Sequence, residues 1–312
     1  MTHARAHPNI ALVKYWGKQT KPGNLPATPN LSITLDSLAT DTVVTAHHQD
    51  EVWLNQEQVT DQKILRFLAE LRCEFELAPI RIETSNNFPT GAGLASSASG
   101  FAALICAINQ HADLGLDADL MSDWARRGSA SAARSLFGGY VALVPPLWRA
   151  QPIAPASHWP LKAVVAITNE TRKSISSSEG MERSRLTSDF YTPWLRGSGD
   201  DFAAAFDAIN NKDFSALAEI AELSCLKMHS VMLTSLPTLS YWNPATLACM
   251  DAVRNLRKQG TAVFFTIDAG PQVKAVCEPQ DANRVSDVLT QVPGVIRTLT
   301  CGLGNAAHIV EP

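Results

Sequence analysis

The sequence predicts an α+β protein, in which strands and helices occupy different stretches of the chain and do not alternate regularly. Runs rich in β-branched residues cluster in the first half, whereas long helical stretches dominate the second half. No repeat of about 20 to 50 residues and no low-complexity tract is visible, so a solenoid or linker-rich architecture is not expected. Six segments are typical of strands: Asp41–Ala46, Val52–Leu54, Ile80–Thr84, Tyr140–Val144, Lys162–Ile167 and Thr261–Ile267.

Three segments are predicted to be helical. Asp61 is placed to cap the first helix, because four apolar residues with the spacing of one helix face follow it. These are Ile64, Leu65, Leu68 and Leu71. The stretch 202–229 is rich in Ala and Leu and should be mostly helical. Asn243-Pro244 begins a further helix that Gly260 ends, since proline favours the first helical turn and glycine the end.

The chain length of 312 residues indicates about two domains, or one large one, with enough residues for a substantial core. Hydrophobic residues make up 46% and charged residues 18%, which is typical of a packed globular protein. The Ser/Gly-containing stretch Leu195–Asp200 is interpreted as a loop near a domain boundary.

The charge balance excludes several classes of partner. Lys and Arg total 26 against 30 Asp and Glu, so the net charge of −4 provides no global attraction for nucleic acid or acidic lipid. Any anion site must therefore be local. The six cysteines are scattered without a Cys-x-x-Cys pair, which argues against a zinc site or a redox dithiol. The amino-terminal residues lack an apolar signal core and no run is long enough to span a bilayer, so a cytoplasmic location is expected.

The segment Asn87–Gly100 has the composition of a phosphate-binding loop before a helix. Small residues let the backbone approach a polyanion, and the first N–H groups of the following helix point towards it. It lacks the ending of a P-loop and has only part of the dinucleotide-binding pattern. A Gly/Ser turn that only caps an Ala-rich helix explains the same residues equally well. The candidate ATP-binding residues are Gly91, Gly93, Leu94, Ala95, Ser96, Ser97 and Ser99.

Taken with that loop, four other segments resemble the diphosphomevalonate decarboxylases. This family belongs to the superfamily of galactokinase, homoserine kinase, mevalonate kinase and phosphomevalonate kinase. The segments occur in the family's order and span nearly the whole chain. They are His7–Lys18, Gly128–Gly139, Lys173–Met181 and Phe265–Pro271.

The resemblance implies an amino-terminal domain like the second domain of ribosomal protein S5, over residues 1–185. It also implies a ferredoxin-like carboxy-terminal domain, over residues 186–312, with the active site between the two. The implied reaction transfers the γ-phosphoryl group of ATP to the 3-hydroxyl of mevalonate diphosphate and then expels phosphate and CO₂, leaving isopentenyl diphosphate. Magnesium and a homodimer are implied as well, although no carboxylate can be assigned to the metal from the sequence.

Two residues receive the central roles in the resemblance. Asp268 corresponds to the carboxylate that orients the hydroxyl and takes its proton, whereas an isolated Asp-x-Gly-Pro sequence would more often be a turn. Arg134 corresponds to the arginine that holds the substrate carboxylate, a task suited to a planar guanidinium. The simpler interpretation of Arg134 is a surface ion pair, but its Gly/Ser/Ala-rich neighbourhood offers few acidic partners.

Lys18 is implied to act both in catalysis and in binding the far diphosphate. Four hydroxyl-bearing residues share the substrate site with it, namely Tyr15, Ser129, Ser131 and Ser177. Ser97 corresponds to a serine that contacts the ATP phosphates or their magnesium ion. Asn9 could help to orient Lys18 or the phosphates, or it could shape a turn. His229 lies in a region near the family's cleft, and no role is assigned to it.

The chain departs from the family pattern at two positions. Gln272 stands where the family usually has Asn, and Ser178 stands where it can have Arg, which removes one possible cation for the diphosphate. The nearest alternatives are therefore a mevalonate 3-kinase and a decarboxylase of mevalonate monophosphate. A ligand-sensing relative without turnover is the non-enzymatic alternative; it would be marked by a missing Asp or a broken phosphate loop, and neither defect is present.

Overall fold

The computed structural model describes residues 1–89, 93–171 and 173–311. Within them the strands are β1 Thr2–Ala6, β2 Asn9–Val13, β3 Asn30–Thr34, β4 Thr40–Ala46, β5 Glu51–Leu54, β6 Glu57–Gln58, β7 Ile80–Asn86, β8 Tyr140–Leu143, β9 Ala150–Ala154, β10 Lys162–Ile167, β11 Val263–Ile267, β12 Val273–Cys277, β13 Arg297–Cys301 and β14 His308–Ile309. The α-helices are α1 Gln62–Glu74, α2 Ser96–His111, α3 Ala118–Gly128, α4 Ser177–Thr187, α5 Tyr191–Asn211, α6 Phe214–Leu233, α7 Pro244–Lys258 and α8 Ala282–Thr290. A 3₁₀ helix spans Ala130–Leu136.

The strands form three sheets in this part of the chain. The first has the order β14-β1-β4-β7-β5-β6, the second β2-β3-β8-β9 and the third β11-β12-β10-β13. The third sheet is antiparallel throughout and combines strands from both sides of the long helical stretch. Asp268 lies in the turn between β11 and β12. Because β12 pairs with β10, this turn belongs to the same sheet as a strand from the middle of the sequence.

The core explains why the chain halves pack together. Along β10, Val165 and Ile167 face a cluster that also contains residues of β2, β3, α5 and α6, whereas Val164 and Ala166 face the cluster beneath α7 and α8. This alternation follows from the two-residue period of a strand, and it buries both faces of the third sheet. One apolar cluster therefore joins residues of the amino-terminal and carboxy-terminal halves, which fixes the strand ends that meet between them.

All six strands predicted from the sequence are confirmed, with ends that differ by at most two residues. The capping interpretation of Asp61 is also confirmed, because its carboxylate accepts hydrogen bonds from Lys63 N and Ile64 N. Asn243 caps α7 with Pro244 in the first turn, and Gly260 follows the helix with a φ of 90°. Stretch 202–229 is helical except around Lys212 and Asp213, where α5 ends and α6 begins.

The loop expected over Leu195–Asp200 is wrong, because these residues lie inside α5. Each glycine in a helix costs about 1 kcal/mol relative to alanine, but burial of one helix face outweighs this cost. Trp194 is buried on that face, and its indole N–H donates to the carbonyl of Trp16 at 2.9 Å. The domain limits 1–185 and 186–312 stay a prediction. Over the described ranges, no helix combines the length and the apolar character needed to cross a bilayer.

Candidate active site

An ion pair between Asp268 and Lys14 lies at the centre of the site. Asp268 directly follows β11 and Lys14 directly follows β2, and the distance from Lys14 Nζ to Asp268 Oδ1 is 2.6 Å. The lysine side chain is only 1% exposed, whereas that of Asp268 is 23% exposed. The turn after β11 is closed by backbone, with Gly270 N donating to Asp268 O at 2.8 Å. The carboxylate thus faces the lysine and the site, while the backbone forms the turn.

A second buried lysine connects Asp268 to the phosphate loop. Lys274 of β12 is fully buried, and its Nζ lies 3.2 Å from Asp268 Oδ2 and donates to Gly93 O at 2.9 Å. Gly93 adopts a φ of 84° and packs so closely on Gly270 that a Cβ at Gly93 would lie 2.7 Å from the Gly270 Cα. The described end of the loop is therefore in direct contact with the turn that carries Asp268.

The charges around Asp268 keep it ionised. Burial alone would raise the pKa of its carboxyl, but Lys14 and Lys274 together hold that pKa well below its usual range. Lys173 and Arg134 also interact electrostatically with Asp268. Four cations thus surround one carboxylate, and this excess of positive charge favours a polyanionic ligand. The local anion site that the overall charge of the chain could not provide is present here.

Arg134 is a buried arginine held by neutral partners, so the interpretation as a surface ion pair is wrong. Its side chain is 2% exposed, and its Nε donates to Ser32 Oγ at 2.8 Å. The two terminal nitrogens donate to Asn9 Oδ1, at 3.0 Å, and to Asn30 Oδ1. A guanidinium has five donors, and these described contacts use three of them, which leaves two for a ligand carboxylate. Burial lowers the pKa of Arg134 to about 10, so the group stays charged at neutral pH.

Asn9 orients Arg134, a role not considered for it from the sequence; it lies in β2 and does not shape a turn, and a role in orienting the phosphates stays a prediction. The residue begins β2, and its Nδ2 donates to Ser131 O at 3.0 Å and to Ser135 Oγ at 2.8 Å. These bonds fix the direction of the amide, whose oxygen then accepts from Arg134. The asparagine therefore joins strand β2 to the 3₁₀ helix that carries the arginine.

Lys18 lies at a different part of the site, near the start of α4. Its Nζ donates to Asn24 Oδ1 at 2.8 Å and to Ser178 Oγ at 3.1 Å. Burial lowers the pKa of Lys18, and the nearby charge of Lys63 lowers it further. Ser178, which stands where the family can have an arginine, thus contacts Lys18. Lys63 is a further cation whose charge acts on Lys18.

The serines of α2 and the 3₁₀ helix form a row. Ser97 Oγ lies 3.3 Å from Ser129 Oγ, which in turn lies 3.4 Å from Ser131 Oγ. Ser97 is exposed in the first turn of α2. The row therefore brings a predicted ATP-binding residue next to two predicted substrate-binding residues.

The other predicted loop residues occupy diverse environments. Leu94 is buried in the apolar core, and Ala95 precedes α2 in a left-handed conformation with a φ of 56°. Ser96 begins the helix, whereas Ser99 is fully buried and its hydroxyl lies 2.6 Å from that of Thr40. Gly91 lies outside the described residues. Within the described residues no side chain caps α2, and the choice between a phosphate-binding loop and a turn that only caps the helix stays open at this point.

Ser177 is bound by Lys173, a residue of the segment Lys173–Met181 that was not predicted to belong to the site. Lys173 Nζ donates to Ser177 Oγ at 2.7 Å and to Ala269 O at 2.9 Å, and it lies 5.1 Å from the ring centre of Tyr241. Burial lowers the pKa of Lys173 to about 8. The start of α4 is thereby tied to the residue that follows Asp268.

Tyr15 is the remaining residue that was predicted for the substrate site. Its hydroxyl is buried and has no hydrogen-bond partner among the described residues. The same side chain interacts electrostatically with Arg134, and burial raises its pKa far above the usual value. A buried hydroxyl without a partner is costly, so this oxygen is well suited to bind a polar ligand.

Sequence reasoning missed three lysines of the site. Lys14 and Lys173 lie inside the family-like segments His7–Lys18 and Lys173–Met181, and this position was the signal that could have identified them. Lys274 carries a weaker signal, because it is a lone charge in the otherwise apolar strand Val273–Cys277. Buried lysines need an acidic or phosphate partner, so such a residue is itself a reason to look for one.

The donors present can accommodate a nucleotide with a divalent cation. The amino-terminal end of α2 and the exposed Ser97 hydroxyl suit phosphate oxygens. Both oxygens of Asp268 face buried lysines, with Oδ1 2.6 Å from Lys14 Nζ and Oδ2 3.2 Å from Lys274 Nζ, so the cation would rely on Ser97 and on phosphate oxygens. No group of three or more His, Cys, Asp or Glu side chains that could hold a metal occurs in the described ranges. Mg²⁺ commonly uses one or two protein ligands together with phosphate oxygens, so this donor set fits it.

Two family models match most of the chain. Residues 6–145 match the diphosphomevalonate decarboxylase-like N-terminal domain, and residues 163–302 match the mevalonate 5-diphosphate decarboxylase C-terminal domain. The chain is 35% identical to the diphosphomevalonate decarboxylase of Candida albicans over 322 aligned residues, which cover 92% of this chain and 88% of the relative.

Solved structures agree over the full length. A structure described as MDDEF in complex with MVAPP, AMPPCP and magnesium has a TM-score of 0.92 and 36% identity, and the match covers 100% of this chain and 99% of the other. A structure of the mevalonate diphosphate decarboxylase from Enterococcus faecalis, described by its mevalonate diphosphate mediated ATP binding mechanism, has a TM-score of 0.91 at 36% identity, with the same coverage.

Proposed function

The chain belongs to the diphosphomevalonate decarboxylase family, and we propose that it converts mevalonate 5-diphosphate and ATP into isopentenyl diphosphate, ADP, phosphate and CO₂. This reaction belongs to isoprenoid biosynthesis by the mevalonate pathway. The observation that carries the proposal is the position of Asp268 between two buried lysines, one of which also contacts the phosphate loop. A carboxylate beside a phosphate site is what phosphoryl transfer to a hydroxyl requires.

The phosphate groups of ATP bind at the start of α2. The similar structure described with AMPPCP and magnesium supports ATP and magnesium as ligands, and the exposed Ser97 in the first turn of α2 supports this position for the phosphates. When bound, the magnesium ion offsets the charge of the transferred phosphoryl group. Ser97 would hold it together with the phosphate oxygens, while Lys274 keeps the loop next to the Asp268 carboxylate through Gly93.

Asp268 acts on the 3-hydroxyl of the substrate. Its low pKa makes it a weak base towards a free alcohol, so its first role is to accept the hydroxyl hydrogen bond and direct the oxygen at phosphorus. The hydroxyl proton becomes strongly acidic only as the bond to phosphorus forms, and the carboxylate can take it at that stage. Lys14 and Lys274 hold the carboxylate in place throughout.

Arg134 holds the carboxylate of the substrate. Its two remaining donors can bind both carboxylate oxygens, because the other three are fixed by Asn9, Asn30 and Ser32. Phosphate departure builds positive charge on the tertiary carbon, and a carboxylate held in a fixed direction then loses CO₂ as the alkene forms. The Tyr15 hydroxyl has no partner among the described residues and interacts electrostatically with Arg134, so it can support the same ligand.

Lys18 binds the diphosphate of the substrate. It approaches Ser178 and lies near Lys63, so this end of the site offers cations as well as hydroxyl donors. Ser129 and Ser131 belong to the row of hydroxyls that reaches Ser97, and Ser177 is the neighbour of Ser178 at the start of α4, so these three residues are assigned to the substrate as well. Binding energy from the far diphosphate can thereby assist the chemical step.

The structure of the site leaves two enzymatic alternatives to be separated by experiment. A mevalonate 3-kinase would stop after phosphorylation, and a monophosphate decarboxylase would not need the far phosphate. Ser178 stands where the family can have an arginine, but Lys18 contacts Ser178 and supplies a cation at this position. This contact favours a diphosphate as the substrate. We also propose a cytoplasmic location and a homodimer. Sedimentation would test the homodimer.

Incubation with ATP and each of mevalonate, its monophosphate and its diphosphate tests the substrate assignment. We expect ADP and CO₂ release to have the highest kcat/KM with the diphosphate. Faster reaction of the monophosphate would transfer the assignment to that substrate, and absence of ATP consumption with all three would favour the non-enzymatic relative.

A further inference from the structure

The strand that delivers Asp268 is an edge strand, and side chains of α6 bind its outer backbone groups. β11 lies at one end of the third sheet, so one side of it has no neighbouring strand in the described part of the chain. Glu222 Oε1 accepts from Phe265 N at 3.1 Å, and Cys225 Sγ accepts from Ile267 N at 3.2 Å. His229 Nε2 lies 3.2 Å from Ile267 O. Helix side chains thus replace a neighbouring strand along the last residues before Asp268.

The spacing of these three residues places them on one face of α6. Positions three and four apart lie above one another on a helix, so Glu222, Cys225 and His229 form a row along β11. Arg257 of α7 holds Glu222 through two hydrogen bonds of 2.8 and 2.9 Å. The far end of the row is therefore anchored to a second helix.

His229 contributes a fixed donor to this row. The side chain is 2% exposed, and its ring centre lies 4.5 Å from that of Trp242. Burial lowers the pKa of His229 to about 3, so the ring is neutral near pH 7. Because a carbonyl oxygen can only accept, the ring proton must be on Nε2 to form the contact with Ile267 O.

The same helix also contacts the other half of the central ion pair. Ser224 Oγ accepts from Lys14 N at 2.9 Å. In addition, Thr266 Oγ1 of β11 donates to Ala11 O of β2 at 3.1 Å. Helix α6 thus binds the backbone at Lys14 on one strand and at the residue before Asp268 on the other.

We propose that Ser224, Cys225 and His229 are positioning residues, which set the distance between Lys14 and Asp268 through the backbone and touch neither substrate. The inference rests on the proposed function, because its main readout is turnover. Loss of the His229 donor would leave Ile267 O with only the long contact from Cys225 Sγ, at 3.5 Å, on the open side of β11, and Asp268 is the next residue. A displacement of about 1 Å in such a group can cost about a hundredfold in rate.

The test compares His229→Leu with His229→Gln, in which the amide can still donate to Ile267 O. We expect His229→Leu to lower kcat about 10- to 100-fold with little change in the KM for ATP or mevalonate diphosphate. His229→Gln should recover most of the lost kcat. Cys225→Ser keeps a donor and an acceptor, so its kcat should be higher than that of Cys225→Ala. Equal losses in both His229 variants, or a lower Tm in His229→Leu with unchanged kcat, would overturn the proposal.

Lys227→Met is the matched control on the same helix. Lys227 Nζ binds Asp201 at 2.6 Å on α5 and does not belong to the row along β11, so its loss should lower Tm without lowering kcat. Failure of the proposed function is seen separately, as absence of turnover in the wild-type protein. In that event crystal structures of wild type and His229→Leu decide the inference, because an unchanged separation of Lys14 Nζ and Asp268 Oδ1 would overturn it and a longer one would support it.

Discussion

Lys14 Nζ and Asp268 Oδ1 lie 2.6 Å apart, although 254 residues separate them along the chain. The lysine is buried where β2 ends, and the aspartate follows β11, so two different sheets must be correctly placed for the pair to form. A buried lysine without such a partner would lose its proton or unfold the site. The pair therefore links the integrity of the fold to the chemistry proposed for the site.

Replacing Asp268 by Asn should impair both turnover and stability. The amide cannot take the hydroxyl proton, and kcat should fall about 10²- to 10⁴-fold. Removal of the carboxylate also leaves Lys14 and Lys274 buried without a counter-charge, which should cost about 3 kcal/mol in the free energy of unfolding. Steady-state kinetics and urea unfolding measure the two effects.

Asp201→Asn provides the matched control for that substitution. Asp201 is also buried and paired with a lysine at 2.6 Å. This pair joins Asp201 of α5 to Lys227 of α6 and includes no residue of the site. The Asp201→Asn variant should have a lower free energy of unfolding and an unchanged kcat. Near-normal turnover of Asp268→Asn would remove Asp268 from the proposed mechanism.

Arg134→Lys should be severe despite the retained charge. A single ammonium group cannot bind Asn9, Asn30 and Ser32 and still present two donors to a carboxylate. We expect both a higher KM for mevalonate diphosphate and a lower kcat, measured from initial rates. Arg72→Lys is the control, since Arg72 makes a two-pronged contact with Asp50 away from the site. Similar kinetics for the two variants would indicate that Arg134 has only a structural role.

The pH dependence of kcat/KM should decline on the basic side. Lys173 has a pKa of about 8, so it is charged below that pH and loses its charge as the pH rises through it. If this charge assists the binding of anionic substrates, kcat/KM falls above about pH 8. Lys173→Arg should move the decline to higher pH, because a guanidinium remains protonated. An unshifted basic limb in the arginine variant would exclude Lys173 as its origin.

The two serines of α2 should respond differently to substitution by alanine. Ser97 is exposed beside Ser129, so Ser97→Ala should slow phosphoryl transfer and leave stability nearly unchanged. Ser99 is buried against Thr40, so Ser99→Ala should cost about 1 kcal/mol in the free energy of unfolding and have a smaller kinetic effect. Initial rates and thermal unfolding of both variants test this, and the reverse order of kinetic effects would favour Ser99 as the ATP contact.

The sequence was sufficient for the strands and helices with strong periodicity or clear caps, such as β10 and α7. It was insufficient where tertiary contacts decide the outcome. Leu195–Asp200 has the composition of a loop, yet packing of α5 makes it helical. Composition and spacing are local properties, and they do not report which helix will bury a segment.

The same limit applies to the site. Arg134 and Asp268 were predicted from motifs, but the partners that fix them come from β2, β3 and β12. Lys274 lies in no motif, and its role depends on the antiparallel pairing of β11 with β12. Long-range pairing of this kind carries no signal in a single sequence, so only the structure reveals that Asp268 is held between two lysines.

The most direct test of the account is the product stoichiometry of a single turnover with ATP and mevalonate diphosphate labelled at its carboxylate carbon. The fixed orientation proposed for the carboxylate at Arg134 predicts that ADP, inorganic phosphate and CO₂ appear in equal amounts. Accumulation of a 3-phosphorylated product with ADP but without CO₂ would contradict the account and establish the kinase alternative.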